Sequence, residues 1–81
     1  MNVEDQVREI LARITRVDKS VITRESTFKE IKADSLDVVQ ALVAVEETFG
    51  IEIPDEEAQT FQDFGDLVSY VENRVAEKER V

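Results

Sequence analysis

Residues 36–49 read Leu36-Asp37-Val38-Val39-Gln40-Ala41-Leu42-Val43-Ala44-Val45-Glu46-Glu47-Thr48-Phe49. On a helix of about 3.6 residues per turn, Leu36, Val39, Leu42, Val43 and Phe49 gather on one face. Val38, Ala41, Ala44 and Val45 carry apolar character well beyond that face. A helix apolar over so much of its circumference sits centrally and touches several neighbours. Asp34 or Ser35 can cap its start, and Gly50 is placed to end it in a left-handed conformation.

Two further helices flank this one. Val3, Val7, Ile10, Leu11 and Ile14 form an apolar stripe at steps of three and four, predicting a helix over roughly residues 3–16. Asn2 can cap it, with Asp5 three residues on. Phe64, Leu67, Val68, Val71 and Val75 repeat the pattern, with Asp63 as cap and Arg74 and Lys78 near the negative end of the helix dipole. Pro54, followed by Asp55, Glu56 and Glu57, opens a short helix of no more than about two turns. The connection over about residues 17–34 is long for a structureless loop. Val21, Ile22, Phe28 and Ile31 are expected to pin it to the core. No segment alternates as a strand does. The expected fold is all-α, a four-helix bundle with three longer helices, one short helix and a long first loop.

The 81 residues suit one domain over residues 1–81. There is no cysteine and no histidine, which removes disulfides, thiolate metal sites and Ser-His or Cys-His dyads. No glycine-rich phosphate loop is present, and the acids do not fit a calcium loop. Neither a metal site nor intrinsic catalysis is expected. No apolar run reaches the ~20 residues of a membrane span, and residues 1–8 lack a signal-peptide core. A soluble, cytoplasmic, monomeric protein is the expectation.

The net charge of −9 is segregated. Residues 1–32 hold seven Lys/Arg and six Asp/Glu, whereas residues 33–73 hold eleven acids and no cation. Such a field repels nucleic acid, itself a polyanion, and steers basic protein surfaces into contact. A solvated face serving only solubility is the plainer reading.

The segment Ala33-Asp34-Ser35-Leu36-Asp37-Val38-Val39, followed by Glu46-Glu47-Thr48-Phe49-Gly50-Ile51-Glu52-Ile53-Pro54-Asp55-Glu56-Glu57-Ala58, resembles the acyl carrier protein family. The likeness continues through Gly65-Asp66 and Ser69-Tyr70-Val71. A lone Asp-Ser-Leu would say little; that tripeptide with the second block at family spacing says much more. The resemblance implies that Ser35, flanked by Asp34 and Leu36, receives 4′-phosphopantetheine from coenzyme A through a holo-carrier synthase, a phosphopantetheinyl transferase. A helix N-terminus suits the arm's phosphodiester, because it presents unpaired N–H groups and a partial positive charge. A serine at a helix start is otherwise most often a simple cap.

The same resemblance implies acyl-processing partners with basic patches docking on Asp37, Glu46, Glu47, Glu52, Asp55, Glu56 and Glu57. It also implies an acyl pocket lined by Phe28, Val39, Leu42, Val43, Ile53, Ala58, Phe61, Leu67, Val68 and Tyr70, residues that also read as ordinary core. Fatty acid biosynthesis is the expected setting. A specialised carrier for polyketide, lipid A or aminoacyl transfer and an unmodified acidic adaptor for basic proteins are the alternatives. Three departures from the family pattern bear on this. Ile31-Lys32 stands where Leu-Gly is usual, which implies either a changed loop backbone or a φ that Lys32 tolerates poorly, and a cation near the arm's phosphate. Gln40 and Gln59 replace acids, and Ala41 and Ala44 replace larger apolar residues.

Overall fold

The computed structural model describes residues 2–79. Helix α1 spans Val3–Thr15, α2 Ser35–Phe49, α3 Asp55–Ala58 and α4 Phe64–Glu79. A short 3₁₀ turn, Lys19–Val21, lies in the first loop. There is no strand among the described residues, only an isolated antiparallel bridge between Thr27 and Asp63.

Helices α1, α2 and α4 each begin where the sequence supplies a side-chain oxygen for the free N–H groups. Asn2 Oδ1 accepts from the Asp5 amide at 2.8 Å, and Asp34 Oδ1 from the Asp37 amide at 2.9 Å. Asp63 Oδ1 accepts from the Asp66 amide at 2.9 Å. Helix α3 opens directly after Pro54, whose side chain offers no cap. Helix α2 stops at Gly50, where φ is +65°, and the Ile51 amide folds back onto the Glu46 carbonyl at 3.2 Å. Lys78 of α4 reaches this end and donates to the carbonyls of Phe49 and Gly50 at 3.2 and 3.3 Å. Its charge therefore serves the C-terminus of α2 as well as that of its own helix.

The core is Val7, Ile10 and Leu11 of α1, Ala41 and Val45 of α2, and Phe64, Leu67, Val68 and Val71 of α4. Ile22, Ile31, Ile51 and Ile53 close it from the loops. The first loop is thus fastened by Ile22 and Ile31, with Phe28 half-buried against the core. Val21 departs from expectation: the 3₁₀ turn rotates it outward and leaves it 61% exposed.

The loop carries its own local frame. Thr27 and Glu30 form a reciprocal cap: the Thr27 amide donates to Glu30 Oε1 at 2.9 Å, and the Glu30 amide to Thr27 Oγ1 at 3.1 Å. The turn then closes with Lys32 amide to Lys29 carbonyl and Ala33 amide to Phe28 carbonyl bonds of 3.0 and 2.9 Å. That pattern requires a left-handed residue between them, and Lys32 has φ of +64°. Of the two alternatives expected there, the unfavourable φ is the one present. The turn delivers the chain to Asp34 and the start of α2.

Candidate functional site

Asp34 is the cap of α2, so Ser35 is its first helical residue rather than its cap. The Asp37 amide is taken by Asp34 Oδ1 and the Val38 amide by the Asp34 carbonyl. The amides of Ser35 and Leu36 are left outside the intrahelical ladder. Ser35 is exposed, and its hydroxyl has no hydrogen-bond partner among the described residues. An oxygen in this position is open to an incoming phosphoryl group.

Ser35 stands in a surface groove of about 480 Å³ between the start of α2 and helix α3. Val38, Leu42 and Ala58 form part of its wall. The same three residues also line a smaller, more enclosed cavity of about 50 Å³ inside the bundle. Leu11, Phe28, Ala41, Phe61 and Leu67 complete that inner cavity. Every lining side chain is apolar. The space suffices for a few waters, so a longer alkyl tail needs the helices to separate.

Five of the expected pocket residues, Phe28, Leu42, Ala58, Phe61 and Leu67, line the inner cavity. Ile53 and Val68 are buried in the core but do not line it. Tyr70 is half-buried beside Phe61, ring centroids 5.4 Å apart. Val39 lines the outer groove beside Ser35 although it is 55% exposed, and Val43, 46% exposed, lines neither space. Each lies two residues from Ala41, a turn of about 200°, and Ala41 faces the core. Leu11, Val38 and Ala41, which were not among the expected pocket residues, also line the inner cavity.

The outward residues form a feature of their own. Leu36, Val39 and Val43 recur at three and four residues and are all exposed, making an apolar stripe on α2 next to Ser35. Glu47, Glu52, Asp55, Glu56 and Glu57 are exposed, and Asp37 is half-buried. Glu46 differs from these. Its Oε2 accepts from the Ile53 amide at 2.7 Å, so the carboxylate fastens the α2–α3 connection. Of the eleven acids over residues 33–73, only Glu72 meets a cation among the described residues, Arg24 at 3.8 Å.

The resolved pKa shifts lie elsewhere. The Glu4 carboxyl is held below its usual value, first by the Arg8 hydrogen bond and then by Arg24. The Ser20 backbone amide holds Asp18 down, and the Thr27 amide does so for Glu30. Among the described residues no group of three acids could hold a metal ion, and no helix is long and apolar enough to cross a membrane.

Residues 5–71 match the family model described as a phosphopantetheine attachment site. Over 70 residues the chain is 43% identical to the acyl carrier protein of Helicobacter pylori (strain G27), covering 85% of this chain and 90% of that one. Identity and coverage are the same for the acyl carrier protein of Helicobacter acinonychis (strain Sheeba). The fold is similar to the solution structure of a holo acyl carrier protein from Geobacter metallireducens. There the TM-score is 0.85 at 30% identity, over 99% of this chain and 93% of that one. The class is that of domains carrying a covalent phosphopantetheine. The chain belongs to the acyl carrier protein family, and phosphopantetheine is its covalent cofactor. The groove accommodates such a group: Ser35 lines it with a free hydroxyl at the start of α2, and Val38, Val39, Leu42 and Ala58 give it apolar wall.

Proposed function

We propose that this protein is a cytoplasmic, monomeric, single-domain carrier in fatty acid biosynthesis, with the arm attached at Ser35. The observation that carries this reading is the position of Ser35. It is the exposed first residue of α2, in a groove whose wall is shared with an apolar cavity. In the attachment step the Ser35 oxygen attacks the phosphorus of coenzyme A that bears the pantetheine. A new P–O bond forms, the pyrophosphate P–O bond breaks, and adenosine 3′,5′-bisphosphate leaves. The serine proton passes to the transferase. The arm supplies a thiol on which acyl chains ride as thioesters, and partner enzymes supply the catalytic groups.

This chain's own part is presentation. Asp34 fixes the start of α2 and so aims Ser35 outward. The exposed Leu36, Val39 and Val43, bordered by Asp37 and Glu47, suit a partner patch with an apolar centre and a basic rim. Rim charges add modest affinity but hasten encounter, as a shuttle serving several enzymes requires.

Intact mass after incubation with coenzyme A and a broad-specificity transferase tests the reading. The wild-type protein should gain one arm. Ser35→Ala should gain none while melting within a few degrees of wild type, since Asp34, not Ser35, is the cap. Modification of Ser35→Ala, or none of wild type, would sink it. The second of these outcomes would favour an unmodified acidic adaptor.

A further inference from the structure

The groove at Ser35 has an uneven polar lining. Its polar side chains are those of Asp34, Ser35, Asp55 and Gln59. Two are carboxylates, which only accept, and Asp34 is already committed to the Asp37 amide. Gln59 is the only side chain there that offers N–H donors. Its own backbone is fixed, because its amide donates to the Asp55 carbonyl at 3.0 Å as it closes α3. Its carboxamide is exposed and makes no hydrogen bond among the described residues. Next to it in the groove stands Ala58, one of the three residues shared with the inner cavity.

A pantetheine arm presents two amide carbonyls along its length, each an acceptor. We propose that Gln59 is a positioning residue for the arm: its carboxamide donates to an arm carbonyl and holds the arm in the groove, directed at the seam into the inner cavity. The acids of the groove cannot make that bond, and its apolar walls provide no direction. The inference rests on attachment at Ser35. It adds that the arm is docked at Gln59 instead of moving freely in solvent.

The test uses holo-protein whose arm amides carry ¹⁵N and ¹³C. In wild type, the arm amides should be less mobile on the ps–ns timescale than those of free pantetheine. A bulky reagent should also cap the arm thiol more slowly than it caps the free thiol. Gln59→Ala should return arm mobility towards the free value and speed capping about threefold, the scale of one partly exposed hydrogen bond. Gln59→Glu should do at least as much, because a carboxylate repels a carbonyl oxygen. Gln62→Ala, on the exposed stretch after α3, should change neither readout. Melting temperatures should hardly move, since all these side chains are exposed. Unchanged mobility and capping in both Gln59 variants would overturn the proposal, as would an equal effect from Gln62→Ala. Failure to load at Ser35, read separately by mass, would defeat the attachment reading itself.

Discussion

Lys32 shows how one residue records both local geometry and its cost. The turn over residues 27–33 ends in a pair of backward hydrogen bonds that demand a left-handed residue at position 32. A lysine there pays for its Cβ in that conformation, whereas glycine would not. Lys32→Gly should therefore stabilise the fold by about 0.5–1 kcal/mol even after the greater freedom of the unfolded chain is counted. Thermal unfolding should rise by about 2–8 °C for a domain of this size. A lower melting temperature would show that the lysine side chain contributes something the turn geometry does not reveal. Asp34 makes the opposite case. Asp34→Ala removes the oxygen that fixes the first turn of α2 and should cost about 1 kcal/mol. It should also slow arm attachment, because Ser35 loses its fixed direction. A variant that loads as fast as wild type would separate the cap from the presentation of Ser35.

At the scale of the element, α2 serves two masters. Ala41 and Val45 face the core, and Leu36, Val39 and Val43 face solvent about half a turn away. The carboxylates along it divide in the same manner. Asp37 and Glu47 lie ten residues apart, which brings their directions within about 80° of each other. Glu46 is occupied with the Ile53 amide. Charge reversal at Asp37 or Glu47 should slow association with a partner synthase at low salt, with the difference shrinking as ionic strength rises. Reversal at Lys19, exposed and paired only with Glu9, should do little. Equal effects from all three would reduce the acidic face to bulk charge. Glu46→Ala should behave differently from either acid. It leaves the Ile53 amide unpaired in a part-buried place and should lower stability by about 1–2 kcal/mol, as chemical denaturation would read.

For the whole molecule, the decisive quantity is where charge is compensated. All six ion pairs among the described residues involve α1, the first loop or α4. The acids of α2 and α3 have none and repel one another in the folded state. Salt or millimolar Mg²⁺ should raise the melting temperature by screening them; a flat response would mean that the repulsion is relieved by some other route. Acidification acts through the acids that hold a hydrogen-bond or ion-pair partner. Glu4, Asp18 and Glu30 have depressed carboxyl pKa values, so their contribution is present above the unfolded values and is lost as pH falls through the folded ones. The ordinary values for these carboxyls are 4.5 for Glu4 and Glu30 and 3.8 for Asp18. Melting temperature should therefore drop as pH falls below about 4.5. Glu4→Gln should soften that acid limb, because Arg8 and Arg24 then lose a titrating partner. A melting temperature unchanged between neutral pH and about pH 3 would contradict this contribution.

The helices and the caps Asn2 and Asp63 were legible in the sequence because their causes are local, whereas Asp34 and Ser35 were both candidates for the cap of α2 until the fold settled on Asp34. Asn2, Asp34 and Asp63 each bond an amide three residues on, Gly50 ends α2 without a Cβ penalty, and apolar spacing sets each helix period. The bias of charge could also be counted from the chain itself. Which side of α2 meets the core could not, because apolar residues cover most of its circumference and periodicity alone cannot rank two apolar faces. Packing against α1 decided it. Small Ala41 and Val45 turn inward, leaving Val43 on the surface and Val39 at the outer groove, away from the inner cavity. Tertiary structure likewise gave Glu46 a second task, the hydrogen bond from the Ile53 amide, since that partner lies beyond the end of its own helix. The inner cavity was beyond reach for the same reason: it is bounded by residues from α1, the first loop, α2, α3 and α4, and exists only once they are packed together.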